Sequence, residues 1–348
     1  MVDKNYCSNS YLIYRYIVRD DVAFHHSLKP NLFDTAIERS PVKNSDDLDV
    51  IIRNVINNAL SKGKVALMLS GGIDSAILAK YLPKGTKSYT LKCIADGAED
   101  ETERAKVYAE VCGLENEVIE VTWEDYQKFT PILMKHKGAP IHSIEPQIYK
   151  AALKAKTDGV EYLLFGENAD LIYGGMDGLL KKDWTYQEFV DRYCYVKPDE
   201  VLKLGEMIYE PFDEFKINEN GIDFVGFIHK HFYREACGSY TNACSTAGMS
   251  YLSPFTHTYL DTELDLERIR SGDTKYIVRE LYNKLYPDLK PAVKLPMPRP
   301  VEQWLKDWGG PTRSEFKKDC INNLSANQKW MVFALEQFLN IIDEQDVN

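Results

Sequence analysis

The stretch LMLSGGIDSA, residues 67–76, passes from an apolar run through two glycines to an acid that is followed by a hydroxyl side chain. The run KVALML, residues 64–69, is typical of a strand that is buried on both faces of a sheet. The residues that follow, IDSAILAKYL (73–82), have helical periodicity and end before a proline. The stretch therefore predicts a buried strand that meets the N-terminus of a helix through a glycine loop.

Strand and helix patterns alternate on both sides of this loop. Further strands are predicted at 87–95, 116–121 and 160–165. Helices are predicted at 45–60, 100–112, 123–136 and 144–156. Such alternation indicates an α/β fold, in which a parallel sheet is flanked by helices.

The patterns divide the chain into three regions. Residues 11–24, YLIYRYIVRDDVAF, predict a strand, a turn and a strand, so we assign residues 1–45 to a short N-terminal β segment. Residues 46–180 form the α/β core that contains the glycine loop. Strand signals fade after residue 180, and residues 181–348 are predicted to be a mostly helical C-terminal region that completes the site.

Composition limits the classes of partner. The 348 residues include 42 basic and 53 acidic side chains, a formal charge of −11, which argues against a broad nucleic-acid-binding surface. No apolar run is long enough to span a membrane, and the polar N-terminus lacks the pattern of a signal peptide. Seven cysteines without C-x-x-C spacing indicate reduced thiols. We therefore expect a cytoplasmic protein with no nucleic-acid and no membrane partner.

The glycine loop has the composition of a phosphate-binding site. Gly71 and Gly72 let an anion approach the backbone, and Ser70 and Ser75 add hydroxyl donors. Asp74 would repel a phosphate unless a cation lay between them, and Mg²⁺ takes both carboxylate and phosphate oxygens as ligands. The stretch lacks G-x-x-x-x-G-K-[ST], so it is not the common P-loop.

SGGIDS resembles the pyrophosphatase-type ATP loop (PP-loop) of the adenine nucleotide alpha-hydrolase-like enzymes, which cleave ATP between the α and β phosphates. Three later stretches are similar to the synthetase domain of the asparagine synthetases: FGENADLIYGG (165–175), LSPF (252–255) and KYIVRELYNKLYPDLKPAVKLPMP (275–298). The chain departs from their pattern at Asn168, where a glycine is usual, and at Leu171, where an acid is usual. The acidic pair at 100–101 also matches.

The resemblance implies an ATP-dependent, AMP-forming amide synthetase. Asp74 and Asp170 would bind Mg²⁺, Glu167 would act as the base, and Lys294, with Lys290 as a competitor, would be the active-site lysine. The alternatives are a capping or outer acid for Glu167, a helix cap for Asp170 and a solvated side chain for Lys294. The implied ATP and pyrophosphate ligands are Leu69, Ser70, Gly71, Gly72, Asp74, Ser75, Leu91, Gly166 and Lys275.

A pocket for the acceptor acid is implied by the loop between the third and fourth predicted strands, where the family often places acceptor-recognition residues. The candidates are His136, Lys137, His142 and Glu145, although His142 is equally well explained as an ordinary loop histidine. Arg299, in a proline-rich segment, is a candidate ligand for an acidic acceptor. The histidines and cysteines between residues 229 and 244 match no known metal-site spacing, which favours helix packing.

Family members that hydrolyse glutamine carry an N-terminal nucleophile domain that begins with cysteine, whereas Val2 and about 45 residues precede the synthetase part of this sequence. We expect the nitrogen to come from free ammonia, from another amine or from a separate glutaminase subunit. Aspartate, a sugar acid and a peptide-like acid remain open as acceptors, and a homo-oligomer remains open as the assembly. The alternative functions are a nucleotide-modifying or sulfur-transfer enzyme and a non-catalytic ATP-binding protein.

Overall fold

The computed structural model describes residues 1–31, 37–291 and 297–347. Two parallel sheets are present in these ranges, one of five strands and one of two. The strands are β1 (Ser40–Val42), β2 (Val65–Met68), β3 (Lys87–Cys93), β4 (Glu115–Val121), β5 (Tyr162–Leu164), β6 (Ser250–Leu252) and β7 (Thr258–Leu260).

Helices fill the intervals between the strands of the large sheet and most of the chain after it. The first seven are α1 (Lys4–Tyr14), α2 (Ser45–Lys62), α3 (Ile73–Ala79), α4 (Thr102–Cys112), α5 (Trp123–Lys137), α6 (Glu145–Thr157) and α7 (Ala169–Ile172). The others are α8 (Asp177–Leu180), α9 (Tyr186–Tyr193), α10 (Pro198–Val201), α11 (Glu210–Asp213), α12 (Phe224–Phe227), α13 (Tyr233–Thr246), α14 (Leu266–Arg270), α15 (Tyr276–Leu285), α16 (Val301–Trp304) and α17 (Ala326–Val347).

The large sheet has the strand order β4-β3-β2-β5-β6, with every neighbouring pair parallel. Strand β2 lies at its centre, and its successive side chains enter two separate hydrophobic clusters. Ala66 and Met68 belong to one cluster, and Val65 and Leu67 belong to the other. Burial on both faces explains the continuous apolar run of this strand. The predicted α/β fold, with a parallel sheet flanked by helices, is confirmed.

The N-terminal β segment is not present as predicted, because residues Lys4–Tyr14 form helix α1. The Asp3 side chain caps this helix by accepting a hydrogen bond from the Tyr6 N–H at 2.8 Å. All residues from Cys7 to Tyr14 are buried, so α1 has no polar face to mark a helical period. An apolar run without an amphipathic period does not distinguish a strand from a buried helix, and the prediction was wrong for that reason.

The C-terminal region is mostly helical, as predicted, but it also contributes to both sheets. Strand β6 forms the edge of the large sheet beside β5, and β7 pairs with β1. A π-helical stretch, Ile228–Phe232, joins α12 to α13. Strand β6 and helix α13 therefore place side chains from the C-terminal region next to the loop that follows β5.

Within the described part of the chain, no helix has the length and apolar character needed to cross a membrane. The seven cysteines form no disulfide, and five of them are buried. Burial raises the pKa of the Cys93 and Cys237 thiols to about 12, so both thiols are protonated at neutral pH.

Candidate active site

The glycine loop connects the carboxyl end of β2 to the start of α3. The Ser75 hydroxyl accepts a hydrogen bond from the Ser70 N–H at 3.1 Å, and the Gly72 N–H donates to the Ser70 hydroxyl at 3.1 Å. The two serine hydroxyl oxygens are 3.0 Å apart. The loop is thus held by its own serine side chains, and the first turn of α3 carries Asp74.

The loop after β5 lies directly beside the glycine loop. A Cβ atom on Gly166 would come within 2.8 Å of the Ser75 nitrogen and 2.9 Å of the Asp74 Cβ, so only glycine fits this approach. Asn168, which stands where related sequences have glycine, has a φ of 69°. Asparagine is among the few side chains that tolerate this left-handed conformation, which explains the replacement.

Lys275 brings the two predicted metal ligands together. Its ammonium lies 2.8 Å and 2.7 Å from the two carboxylate oxygens of Asp74, and 3.0 Å from Oδ1 of Asp170. The lysine is 4% exposed, whereas the Asp74 and Asp170 side chains are 20% and 32% exposed and stay in contact with water. Burial lowers the pKa of Lys275, but the negative charges of Asp74 and Asp170 outweigh it and raise the pKa overall.

A cavity of about 230 Å³, here called the nucleotide cavity, opens between the two loops. Eight of the predicted site residues line it: Leu69, Ser70, Asp74, Ser75, Leu91, Gly166, Glu167 and Asp170. Gly71, Gly72 and Lys275 are not in its lining. Gly71 and Gly72 belong to the loop itself. Lys275 lies behind the wall and forms ion pairs with Asp74 and Asp170, which line the cavity.

Glu167 is an acid of the nucleotide cavity with a raised pKa. Burial raises the pKa of its carboxyl group to about 7, and the charge of Asp170 adds to the increase. A hydrogen bond from Tyr240 opposes the shift. A carboxyl group with a pKa near neutrality can take up and release a proton under physiological conditions, which suits an acid–base role.

Three polar residues of the cavity wall lay outside the predicted ligand set: Thr90, Glu101 and Tyr240. Glu101 was recognised only as part of the acidic pair, and in the structure it is buried and lies 3.5 Å from the Arg104 guanidinium. Burial raises the pKa of Glu101. Tyr240 comes from α13, far along the chain from the loop that it contacts, and no local sequence signal marks it.

Lys294, the predicted active-site lysine, lies outside the described residues, and its assignment stays a prediction. Its competitor Lys290 is described and does not line the nucleotide cavity. Met297 and Pro298, which follow Lys294 closely in the chain, do line this cavity. The described part of the proline-rich segment, at Met297 and Pro298, therefore borders this cavity.

A larger cavity of about 820 Å³, here called the acceptor cavity, contains two of the predicted acceptor residues, His142 and Arg299. It also contains Arg15, which sequence reasoning missed. Arg15 lies at the end of α1 with a φ of 63° and forms an ion pair with Glu235 at 2.7 Å. Its guanidinium contacts the ring nitrogen Nε2 of His142 at 2.7 Å.

Glu145 does not line either cavity, in contrast to its predicted place in the acceptor pocket. It is fully buried, and its carboxylate accepts hydrogen bonds from the Lys137 ammonium at 2.7 Å and from the Asn242 amide at 2.6 Å. The same carboxylate also accepts from the His142 N–H at 2.7 Å. Glu145 and Lys137 thus form a buried pair that supports the His142 loop. His136 contacts Asn242 at 2.8 Å and is likewise outside both cavities.

The histidines and cysteines between residues 229 and 244 pack in the helical region. Burial lowers the pKa of His231 to about 4, and its ring contacts the Tyr16 hydroxyl at 2.6 Å. No group of three or more His, Cys, Asp or Glu side chains suited to a metal ion occurs in residues 1–31, 37–291 and 297–347. The Asp74 and Asp170 pair is a smaller set, of the kind that shares an ion with phosphate oxygens.

Comparisons with known proteins agree with the sequence resemblance. The family model for asparagine synthase matches residues 48–241, which is more than half of the chain. No curated protein sequence matches this chain. The solved structure of NMN synthetase from Francisella tularensis is 13% identical, with 72% of this chain and 96% of that chain covered, and the TM-score is 0.26.

Proposed function

Because the chain belongs to the asparagine synthase family, a family of ATP-dependent synthetases, we propose that it is an AMP-forming amide ligase. Its substrates would be ATP, a small-molecule carboxylic acid, and ammonia or an amine. The observation that carries the proposal is the convergence of Asp74, Asp170 and Glu167 on one cavity between the loops that follow β2 and β5. Ligands of parallel sheets bind at this carboxyl edge.

In the first step, a carboxylate oxygen of the acceptor attacks the α-phosphorus of ATP. The bond to the bridging oxygen of the β-phosphate breaks, and pyrophosphate leaves as the acyl-adenylate forms. The chain's contribution is to position the phosphates beside the glycine loop, whose Ser70 and Ser75 line the cavity. The narrow fit at Gly166 keeps this loop beside Glu167.

The donor set of the site fits Mg²⁺. Asp74 and Asp170 already converge on one cation, the Lys275 ammonium, at 2.7 and 3.0 Å. These two carboxylates would hold the metal, which neutralises phosphate charge when it is bound. Lys275 would then lie close enough to contribute positive charge to the pyrophosphate.

In the second step, the nitrogen of ammonia or an amine attacks the acyl carbon, AMP leaves, and a proton must be removed from the nitrogen. Glu167 is the proposed acceptor of that proton. Because its pKa is about 7, a substantial fraction of the carboxyl group is deprotonated at neutral pH. The carboxylate is still basic enough to take up a proton. Tyr240 donates a hydrogen bond that orients the carboxylate.

The test is the identity of the nucleotide product. Purified protein is incubated with ATP, Mg²⁺, ammonium and a panel of carboxylic acids, and products are resolved by phosphorus NMR. We expect AMP and pyrophosphate, formed only with an accepted acid. ADP and phosphate as the products would contradict the proposal, because they would place the cleavage at the γ-phosphate.

A further inference from the structure

The acceptor cavity adjoins the nucleotide cavity along two walls. Met297 and Pro298 line the nucleotide cavity, whereas Arg299, the next residue, lines the acceptor cavity. Gly175 also lines the acceptor cavity, and a Cβ at this position would overlap Oδ1 of Asp170 and approach the Lys275 side chain to 2.8 Å. A ligand in the acceptor cavity therefore lies within reach of the acids that face the nucleotide.

Arg299 is a half-buried cation without a counter-ion among the residues that the structure describes. Its guanidinium donates to neutral oxygens, the side-chain carbonyl of Asn327 and the backbone carbonyl of Met297, each at 3.2 Å. Burial lowers the pKa of Arg299, and the positive charge of Arg15 lowers it further. Two guanidinium groups that repel each other beside a cavity are stabilised when an anion binds there.

The rest of the lining keeps the cavity net positive. Arg15 is paired with Glu235, while Arg192 adds a third arginine to the wall. Asp177 and Asp191 are the acids in the lining, and Asp191 already forms an ion pair with Lys197 at 3.0 Å. His142 stays neutral, because burial and the nearby arginines lower its pKa well below the usual range. The charges therefore favour a negatively charged ligand.

Aromatic side chains form much of the remaining wall. The Arg15 guanidinium lies 3.8 Å from the centre of the Tyr195 ring and 5.5 Å from that of Phe232, and both rings are partly accessible. Tyr193 is buried in the same wall, and its hydroxyl has no hydrogen-bond partner within the described ranges. The accessible flat rings suit a planar ligand.

The volume of the acceptor cavity favours a large acid over a small one as its ligand. About 820 Å³ falls within the roughly 300–1,000 Å³ of pockets that hold drug-sized ligands. An amino acid such as aspartate would leave most of this space and its aromatic wall uncovered. Burial of an aromatic ring, in contrast, would use both the size and the apolar surface of the cavity.

We propose that the acceptor cavity selects an aromatic carboxylic acid, larger than aspartate, whose anionic group contacts Arg299. As a statement about the acceptor, this inference rests on the proposed ligase function. As a statement about binding, it stands on the cavity alone. Arg15 is a positioning residue in this arrangement, because Glu235, Tyr195 and His142 already engage its guanidinium.

Binding is tested by titration calorimetry on the full chain without ATP. The probes are indole-3-acetate, the uncharged indole-3-acetamide and L-aspartate. We expect indole-3-acetate to bind more tightly than either of the others. The variant Arg299→Met should weaken indole-3-acetate by about tenfold or more, since hydrogen bonds to charged groups are strong, and should leave the amide unaffected. Arg299→Lys keeps the charge and should lose less.

The matched control is Arg53→Met, which removes an exposed arginine of α2 that pairs with Asp49. Its affinity for indole-3-acetate should equal that of the wild type. Tighter binding of aspartate, or equal binding of indole-3-acetate by wild type and Arg299→Met, would overturn the inference. Thermal unfolding of each variant checks that the chain is folded.

Exchange of labelled pyrophosphate into ATP separates this inference from the proposed function. If aspartate supports exchange and aromatic acids do not, the ligase function stands and the aromatic acceptor is wrong. If indole-3-acetate binds through Arg299 but no acid in the panel supports exchange, the cavity assignment stands and the ligase function fails. Exchange that is strongest with aromatic acids and is reduced in Arg299→Met supports both.

Discussion

The Lys275 ammonium lies 2.7 Å from Oδ2 and 2.8 Å from Oδ1 of Asp74, so one buried cation contacts both oxygens of the acid in the glycine loop. Asp170, from the loop after β5, reaches the same ammonium at 3.0 Å. A lysine at the start of α15 thus connects the two loops of the nucleotide cavity. Lys275 has a φ of 51°, and Arg15 and Asn168 are also non-glycine residues with positive φ near the two cavities. Such backbone conformations are costly, and they cluster at functional sites.

Removal of the Lys275 ammonium should make the stability of the protein depend on added Mg²⁺. Lys275→Met leaves two carboxylates close together, and we expect a loss of about 1–3 kcal/mol in the free energy of unfolding. This is less than the roughly 3–5 kcal/mol typical of fully buried pairs, because the acids are partly exposed. Millimolar Mg²⁺ should restore part of the melting temperature. Lys284→Met, which breaks an exposed pair with Asp46, serves as the control and should show neither effect.

Neutralisation of either acid should abolish catalysis without unfolding the chain. Asp74→Asn and Asp170→Asn preserve side-chain size but remove a charge from the proposed metal site. We expect Mg²⁺-dependent AMP formation to disappear in both variants, while the far-UV circular dichroism remains that of the wild type. Asp46→Asn, at the exposed start of α2, is the control. Full turnover in either Asp74→Asn or Asp170→Asn would contradict the proposal that these acids bind the metal.

The two chemical steps should separate in Glu167→Gln. If Glu167 acts only on the incoming nitrogen, the variant still forms the acyl-adenylate, so exchange of labelled pyrophosphate into ATP survives. Amide formation should fall by about 10²–10⁴, the usual contribution of a general base. A parallel loss of both activities would instead assign Glu167 to the nucleotide or the metal.

Glu167 should also set a pH dependence. A base with a pKa of about 7 is active when deprotonated, so the rate of amide formation should rise as the pH increases through 7. The sign is opposite for stability, because the folded state favours the protonated carboxyl group. The wild type should lose stability between the ordinary pKa of 4.5 and the raised value. Glu167→Gln should therefore be more stable than the wild type at pH 8, with little difference near pH 5, when measured by urea unfolding.

The close approach of the two loops should make Gly166 intolerant of a side chain. Gly166→Ala places a Cβ 2.8 Å from the Ser75 nitrogen, so the glycine loop must shift and ATP binding should weaken by about tenfold or more, since small displacements of positioning groups are costly. Gly309→Ala is the control, because no atom lies within 4 Å of its added Cβ. Nucleotide affinity can be compared by calorimetry. Equal ATP affinity in the two variants would contradict the predicted constraint.

Local sequence signals determined the fold class and the nucleotide cavity. Several signals lie within short segments: the apolar run of β2, the glycines after it, and the periodicity of α2 and α4. The amino-acid sequence alone therefore indicates these elements. The carboxyl ends of parallel strands share one edge of a sheet, and this rule alone predicts that Asp74 and Asp170 lie near each other. Their common contact with Lys275, about a hundred residues or more further along the chain, also agrees with the resemblance.

Only the tertiary structure decided the acceptor side. Helix α1 is buried from Cys7 to Tyr14, so its sequence shows no amphipathic period, and Arg15 could not be recognised as part of a site. Arg15 meets His142 and Glu235 across 127 and 220 positions of the chain. Glu145, in contrast, lies in the stretch that the sequence assigns to the acceptor pocket, but its buried carboxylate contacts Lys137 and Asn242 instead. Contacts at such separation depend on how the helices pack around the sheet, and packing against distant partners leaves no local pattern by which sequence reasoning could find it.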